Sequence, residues 1–215
     1  MAQNSEYTYG QLSGELEIKI SGVIDGFGGC SGGICHTVNI GPNSRMKGPY
    51  FFEKCRNLKT VKFGEYVSII GNKSFLECSS LETLHAPSGF RLFGDATFAR
   101  CGFRELVIRK GTIIDGNYSF GECLGLVSVI IEDGVVISRN DTFKDCSNLS
   151  IVRVGDNVKF LGNGTFSGCG RLETLRLGKN VSVLGEDNFV GCRNITTSTH
   201  GENLVITDKS FTKYA

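Results

Sequence analysis

Thiols are the residues of this chain with the clearest chemical potential. Nine cysteines occur in 215 residues, and eight of them stand three positions after a phenylalanine. The pairs are Phe27–Cys30, Phe52–Cys55, Phe75–Cys78, Phe98–Cys101, Phe120–Cys123, Phe143–Cys146, Phe166–Cys169 and Phe189–Cys192, with Cys35 outside the pattern. Such a set could form disulfides, bind a metal or simply fill a core. If the pairs repeat in space, equivalent Cα atoms stack about 4.8 Å apart, close to disulfide range. Their side chains then point in parallel, which leaves the Cβ atoms about 4.8 Å apart as well, beyond the preferred ~3.5–4.5 Å. Zinc needs a Cys-x-x-Cys or Cys/His cluster, and none occurs. Buried, reduced thiols acting as small hydrophobes are the favoured reading.

Other catalytic or cofactor chemistry is sparse. His36, His85 and His200 are the three histidines, and none sits in a metal-binding arrangement such as His-Glu-x-x-His. Ser44-Arg45-Met46-Lys47 spells Ser-x-x-Lys without the companion motifs of the enzymes that use it. The glycine-rich stretch over 26–33 lacks the strand and helix context of a dinucleotide site. No catalytic residue, cofactor site or metal site is expected, and the chain reads as a non-enzyme. Seven Asn-x-Ser/Thr sequons occur, at Asn72, Asn117, Asn140, Asn148, Asn163, Asn180 and Asn194. They admit two readings, glycan attachment or a by-product of repetition. Four of them (Asn72, Asn117, Asn140 and Asn163) lie three residues before a repeat phenylalanine, which favours repetition.

The phenylalanines themselves define the elements. Their successive steps from Phe52 to Phe189 are 23, 23, 22, 23, 23 and 23 residues. A fixed period of this size is the mark of a solenoid, whose stacked turns bury one continuous core. In register, an apolar column follows each Cys by three residues (Leu58, Leu81, Leu126, Leu149, Leu172, Ile195), with Phe103 taking its place in the shorter turn. Two more columns, Val61-Leu84-Leu106-Val129-Val152-Leu175 and Phe63-Ala86-Ile108-Ile131-Val154-Leu177, are two residues apart, the period of a strand with one buried face. A Gly/Pro/Asp/Asn turn follows, and then a short apolar segment such as Val67-Ser68-Ile69-Ile70. Within that segment the column of Ile69, Leu92, Ile114, Ile137, Phe160, Val183 and Val205 has no polar member, whereas Asp115 and Ser138 interrupt the next one.

Each turn thus runs Phe-x-x-Cys-x-x-Leu-x-x-Val-x-Ile, turn, Val-x-Ile-Ile-Gly. In this the chain resembles the BspA-like leucine-rich repeat family over roughly residues 35–211. It departs from the family pattern where Ser, Thr or Asn replaces the alanine before the phenylalanine, and where proline follows the strand only at Pro42 and Pro87. The resemblance implies a β-rich repeat solenoid of about eight turns of 22–23 residues with a parallel sheet on its concave face. It also implies roles in adhesion or host–microbe surface contact.

Residues 1–34 fit the repeat less well. Leu16, Ile18 and Ile20 alternate like a strand, and Phe27–Cys30 reads as a degenerate turn, so 1–34 is expected to be an N-terminal cap. Residues 35–215 form the solenoid, closed by a minimal cap around Leu204 to Tyr214. The formal net charge of +1 provides no field for nucleic acid or an anionic membrane. The first residues have neither a basic cluster nor an apolar run, so this chain shows no secretory signal, and no segment suffices to span a bilayer.

Partners of leucine-rich repeats commonly bind sheet residues that face away from the core. The strand period puts Lys62, His85, Val107, Ile130, Arg153 and Arg176 in one outward column, and Glu105 and Ile151 in the other. Val107, Ile130 and Ile151 are apolar where polar residues are expected, and Arg153 and Arg176 follow them. This is a candidate binding patch for a protein or glycan ligand. The plainer reading is that β-branched residues here only favour strand formation. An assembly module without a dedicated ligand is the alternative from another functional class.

Overall fold

The computed structural model describes residues 6–12, 15–25, 31–207 and 209. Its strands run β1 (Glu6–Leu12), β2 (Glu15–Ser21), β3 (Val23–Ile24), β4 (Thr37–Ile40), β5 (Arg45–Met46), β6 (Thr60–Phe63), β7 (Ser68–Ile69), β8 (Thr83–His85), β9 (Arg91–Leu92) and β10 (Glu105–Ile108). They continue as β11 (Ile113–Ile114), β12 (Ser128–Ile131), β13 (Val136–Ile137), β14 (Ile151–Val154), β15 (Lys159–Phe160), β16 (Thr174–Leu177), β17 (Ser182–Val183), β18 (Thr197–His200) and β19 (Val205–Ile206). From β2 onward, longer even-numbered strands stack on one another in parallel, and two-residue odd-numbered strands do the same opposite them. The result is a parallel β-solenoid of about eight turns, as the repeat requires.

Alternation fixes which side chains enter the core. In β6, β12, β14 and β16 the second and fourth residues are buried while the first and third face out. The buried side chains of all turns merge into one cluster from Ile20 to Phe189. Seven phenylalanine rings, Phe52 to Phe189, stack along it with centroids 5.0–5.6 Å apart and planes 4–13° from parallel. A centroid spacing wider than the ~4.8 Å between strands makes these offset stacks, the arrangement that aromatic quadrupoles favour.

Beside the rings runs the thiol column. Each Sγ from Cys78 to Cys192 donates to the carbonyl of the phenylalanine one turn back, at 3.1–3.3 Å. Cys35 is buried in the position that leucine takes in later turns. The cysteines of the described residues are free thiols, buried except for the half-buried Cys192. Phe27 and Cys30 lie outside the described residues, as do Phe211 and Tyr214.

At the N-terminal end, β1 pairs antiparallel with β2, while β2 and β3 already pair in parallel with β4 and β5. The antiparallel β1 thus covers the open edge of the first turn. At the other end β18 reads Thr-Ser-Thr-His and is exposed along its length, so polar residues stand where Leu175 and Leu177 sit one turn earlier. The register also corrects one column: Val183 pairs with Ile206, and Val205 sits exposed beside Ser182. Counting back from Phe211 placed Val205 one position out, because the step from Phe189 to Phe211 is 22 residues.

The second correction concerns the short segments. Ile69, Leu92, Phe160 and Val183 are buried, but the residues after them, Ile70, Phe93, Leu161 and Leu184, are 37–46% exposed. Asp115 and Ser138 occupy that same outward column, half-buried, where polar groups are tolerated because they stay in reach of solvent and of each other. Ser138 Oγ donates to Asp115 Oδ1 at 2.7 Å, and Arg139 Nε donates to the same oxygen at 2.8 Å.

Each turn bends through three corners with positive φ. The columns are Asn43-Tyr66-Gly89-Gly111-Gly134-Asn157-Asn180-Asn203, Tyr50-Lys73-Ala96-Tyr118-Asp141-Gly164-Asp187 and Lys54-Glu77-Arg100-Glu122-Asp145-Gly168-Gly191. Side chains in this region cost about 1–2 kcal/mol each, so the stack imposes the corners on whichever residue falls there. A separate column needs glycine for space. A Cβ on Gly71 would lie 2.0 Å from the carbonyl oxygen of Gly48, and one on Gly185 would lie 1.9 Å from that of Gly162.

Two predictions follow from these packing constraints. Gly89→Ala, where a Cβ would meet nothing within 4 Å, should cost about 1–2 kcal/mol through backbone conformation alone. Gly71→Ala should cost clearly more in urea denaturation, and equal losses would show that the close approach is not limiting. The second prediction concerns alkali. Burial pushes the thiols of Cys101 and Cys169 up, and that of Cys192 from 9.0 to about 12. The folded state then holds protons that the unfolded chain releases, so stability is complete below about pH 9 and falls as pH rises towards 12. A Cys169→Ala/Cys192→Ala variant should show a shallower decline in melting temperature over that range, and an unchanged decline would remove the thiols as its cause.

Candidate functional site

Backbone register places the outward residues of the long strands. Lys62 lies opposite His85 on β6 and β8. Val107, Ile130, Arg153, Arg176 and Thr199 form one row across β10 to β18, and Glu105, Ser128, Ile151, Thr174 and Thr197 form the other. Between β8 and β10 the pairing stops, so the long face consists of two five-stranded sheets. The break coincides with the 22-residue turn. Its missing residue lies between Cys101 and the buried Phe103, just before β10. In regular turns two successive N–H groups share the carbonyl one turn back, as Val127 and Ser128 share that of Arg104.

The structure therefore brings together Glu105, Val107, Ile130, Ile151, Arg153 and Arg176, and it leaves Lys62 and His85 on the other sheet. Ile130 is 36% exposed, Val107 and Ile151 are half-buried, and the charged residues are exposed. Val107 and Ile130 are direct cross-strand neighbours, with Ile151 diagonal to Ile130, within reach for branched side chains. Val127, 37% exposed, stands just before β12 and outside the two rows, a further apolar side chain that the sequence reading passed over. Its signal was available: the same position holds Lys59, Glu82, Arg104, Ser150 and Glu173 in other turns.

Two hollows open on this side. One of about 350 Å³ is lined by Lys110, Ile130, Glu132, Asp133 and Arg153, among others. Within it Glu132 is already engaged, accepting from Arg109 at 2.9 Å and from the Lys110 N–H at 2.9 Å. The other, of about 630 Å³, lies by Arg104, Val127, Asn148, Ser150, Arg171 and Glu173. Arg171 is anchored there, its guanidinium donating to the side-chain Oδ1 of Asn148 at 2.7 Å.

Outside the thiol column, the perturbed titratable groups cluster elsewhere, at the corner columns. Arg100 bridges Glu77 at 3.1 Å and Glu122 at 3.0 Å, and the Tyr118 hydroxyl donates to Glu122. Hydrogen bonds from Tyr118 and Arg100 hold the Glu122 carboxyl below its usual range, and burial with the Glu122 charge pushes the Tyr118 hydroxyl up. These groups tie three consecutive turns together and carry no nucleophile. Among the described residues no group of His, Cys, Asp and Glu side chains could hold a metal ion. No helix there is long and apolar enough to cross a membrane.

Two further columns, both noted in the sequence without their bonding, are structural. From Phe75 to Phe189 the residue before the phenylalanine is buried although polar. Ser74, Thr97, Ser119 and Asn188 donate to the carbonyl three residues back at 2.7–2.8 Å, whereas the hydroxyls of Thr142 and Thr165 make no hydrogen bond among the described residues. This is where the chain departs from alanine, and the hydroxyl costs little because the corner offers an unpaired carbonyl. The sequon asparagines form the second column. Oδ1 of Asn72, Asn117, Asn140 and Asn163 accepts the N–H of the residue one turn on, at 2.9–3.2 Å. Asn148 and Asn194 donate to carbonyls a turn back, and Asn180 to Asn157.

With parallel stacking, a 22–23-residue period and one Phe-Cys corner per turn, the molecule is a leucine-rich repeat solenoid. The chain belongs to the BspA type leucine rich repeat family, whose model matches residues 25–125 and 91–214. It is similar to the leucine-rich repeat protein of T. pallidum, with 21% identity over 77% of this chain and 87% of that one, at a TM-score of 0.59. A leucine-rich repeat protein from Bacteroides ovatus aligns with 17% identity over 94% of this chain and 90% of that one, at a TM-score of 0.36. No curated protein matches the chain. Repeats of this family form protein-interaction modules, generally without catalysis.

The asparagine column supplies a test. Asn140→Ala should lower stability by about 1 kcal/mol through loss of its acceptor for the Asn163 N–H, whereas Asn140→Asp keeps the acceptor and most of the stability. Equal losses in thermal melts would mean that the bond between turns is not what Asn140 supplies.

Proposed function

We propose that this chain is a non-catalytic recognition module that binds a protein ligand through the outward face of β10 to β16. The observation that carries the reading is the cluster of Val107, Ile130 and Ile151 on adjacent strands, with Arg153 and Arg176 continuing the row of Val107 and Ile130. Apolar side chains at outward positions of a half-solvated sheet contribute nothing to the core beneath them. Beside cationic residues they have the make-up of a binding hot spot, an apolar centre with a polar margin. Surface contact or adhesion is the setting that the family resemblance implies for such a module.

Replacing Val107, Ile130 and Ile151 together by Ser should abolish recovery of the bound protein in a pull-down and leave the melting transition in place, because none of the three is fully buried. Undiminished recovery with an intact fold would sink the sheet-face reading. Strictly concentration-dependent self-association, lost in the same variant, would favour an assembly module instead.

A further inference from the structure

Arg153 and Arg176 are direct cross-strand partners on β14 and β16, both exposed on the long face. Like charges placed opposite one another in a sheet are destabilising. Three arginines of this chain are neutralised across turns, Arg100 by Glu77 and Glu122, Arg109 by Glu132, and Arg139 by Asp115, while others among the described residues stand alone at separate exposed positions. Arg153 and Arg176 make no such ion pair or hydrogen bond among the described residues. Glu132, which lines the same hollow as Arg153, is held by Arg109 and the Lys110 N–H. The fold thus keeps two guanidinium groups one strand apart with their donors unused. Local breaches of this kind gather where a ligand supplies the compensation.

We propose that Arg153 and Arg176 together form a subsite for a carboxylate side chain of the bound protein, with Val107 and Ile130 taking an apolar side chain beside it. The inference rests on the sheet-face reading above and adds the chemistry of the partner. Geometry sets the pattern. Strand spacing of about 4.8 Å puts the midpoint of the two arginines about 7 Å from Ile130 along the row. An extended chain crossing the strands advances about 7 Å per two residues. The fitting segment is therefore an extended one, with an apolar residue followed two positions later by Asp or Glu. Forked donors on both sides suit a carboxylate, which accepts two parallel N–H bonds from one guanidinium. A linear polyanion fits less well, because it would need a continuous cationic track. Here the row turns apolar at Ile130, and Glu105 stands in the neighbouring row.

The test uses a fluorescein-labelled nine-residue peptide of threonines and serines with Val-Thr-Glu at its centre, its Val-Thr-Gln counterpart, and a heparin oligosaccharide, each titrated by anisotropy against the whole chain. The Glu peptide should bind, weakening as salt rises, and the Gln peptide at least about tenfold more weakly. Arg153→Gln/Arg176→Gln should remove that difference. Arg153→Lys/Arg176→Lys, which keeps charge but not the fork, should restore only part of it. Melting curves of each variant confirm that these exposed positions leave the fold intact.

Equal affinity of the two peptides, with binding still lost in the Val107/Ile130/Ile151→Ser variant, would overturn the carboxylate subsite and leave the sheet-face reading standing. Peptide binding indifferent to both sets of substitutions, or absent at about 1 mM protein, would count against both. Tighter binding of heparin than of the Glu peptide, lost with the same arginines, would replace the acidic protein segment with an anionic glycan.

Discussion

Every turn of this molecule hangs on the backbone hydrogen bonds that join it to the next, and these hold successive turns at one strand spacing. Bonds such as Phe75 N–H to the Thr97 carbonyl and Phe143 N–H to the Thr165 carbonyl repeat this link through the phenylalanine corner as well as through both sheets. At about 4.8 Å a side chain has for its neighbour the same position one turn away. Whatever a column contains must therefore stack with itself. Aromatic rings do so with a slight offset, thiols by donating to a carbonyl, asparagines by accepting an N–H, and glycines by leaving room for one. Charges do so badly unless the sign alternates, as it does at Glu77, Arg100 and Glu122.

That constraint explains how the residues with the greatest chemical potential are used within the stack. The cysteines are buried against phenylalanine carbonyls, their thiols held neutral by burial. The histidines are dispersed, and the sequon asparagines spend their amide groups on neighbouring turns. What is left free lies on the outward rows of the long sheet, where side chains stack over solvent rather than over core. Function in such a molecule is a property of a surface pattern, and a row can change composition from turn to turn at little cost to the fold.

Much of this was readable in the chain itself, because periodicity exposes each column as a string of letters. The Phe and Cys positions, the two strand columns and the outward residues from Lys62 to Arg176 all fall where the spacing puts them. Two columns of the short segment differ from their reading in the sequence. The second apolar residue of the short segment, Ile70 or Leu161, faces outward, since a two-residue strand alternates too briefly for the pattern to be distinguished. Val205 was set one position out because a 22-residue step gives no sign of where the missing residue falls. The burial of Ser74, Thr97 and Ser119 before their phenylalanines gave no signal in the sequence, because their partner is a main-chain carbonyl.

The sequence by itself determined the period, the parallel stack and the identity of the ladders, because a repeat of fixed length with apolar alternation has one way to bury its core. Only the tertiary structure decided where the long face divides and which outward residues share a row. Cross-turn pairing depends on the local register and on backbone bonds that side-chain letters do not encode. The loss of pairing between β8 and β10 sets Lys62 and His85 apart from the apolar cluster. The pairing of β14 with β16 places two unneutralised arginines side by side, and in the sequence these were only two charges 23 residues apart.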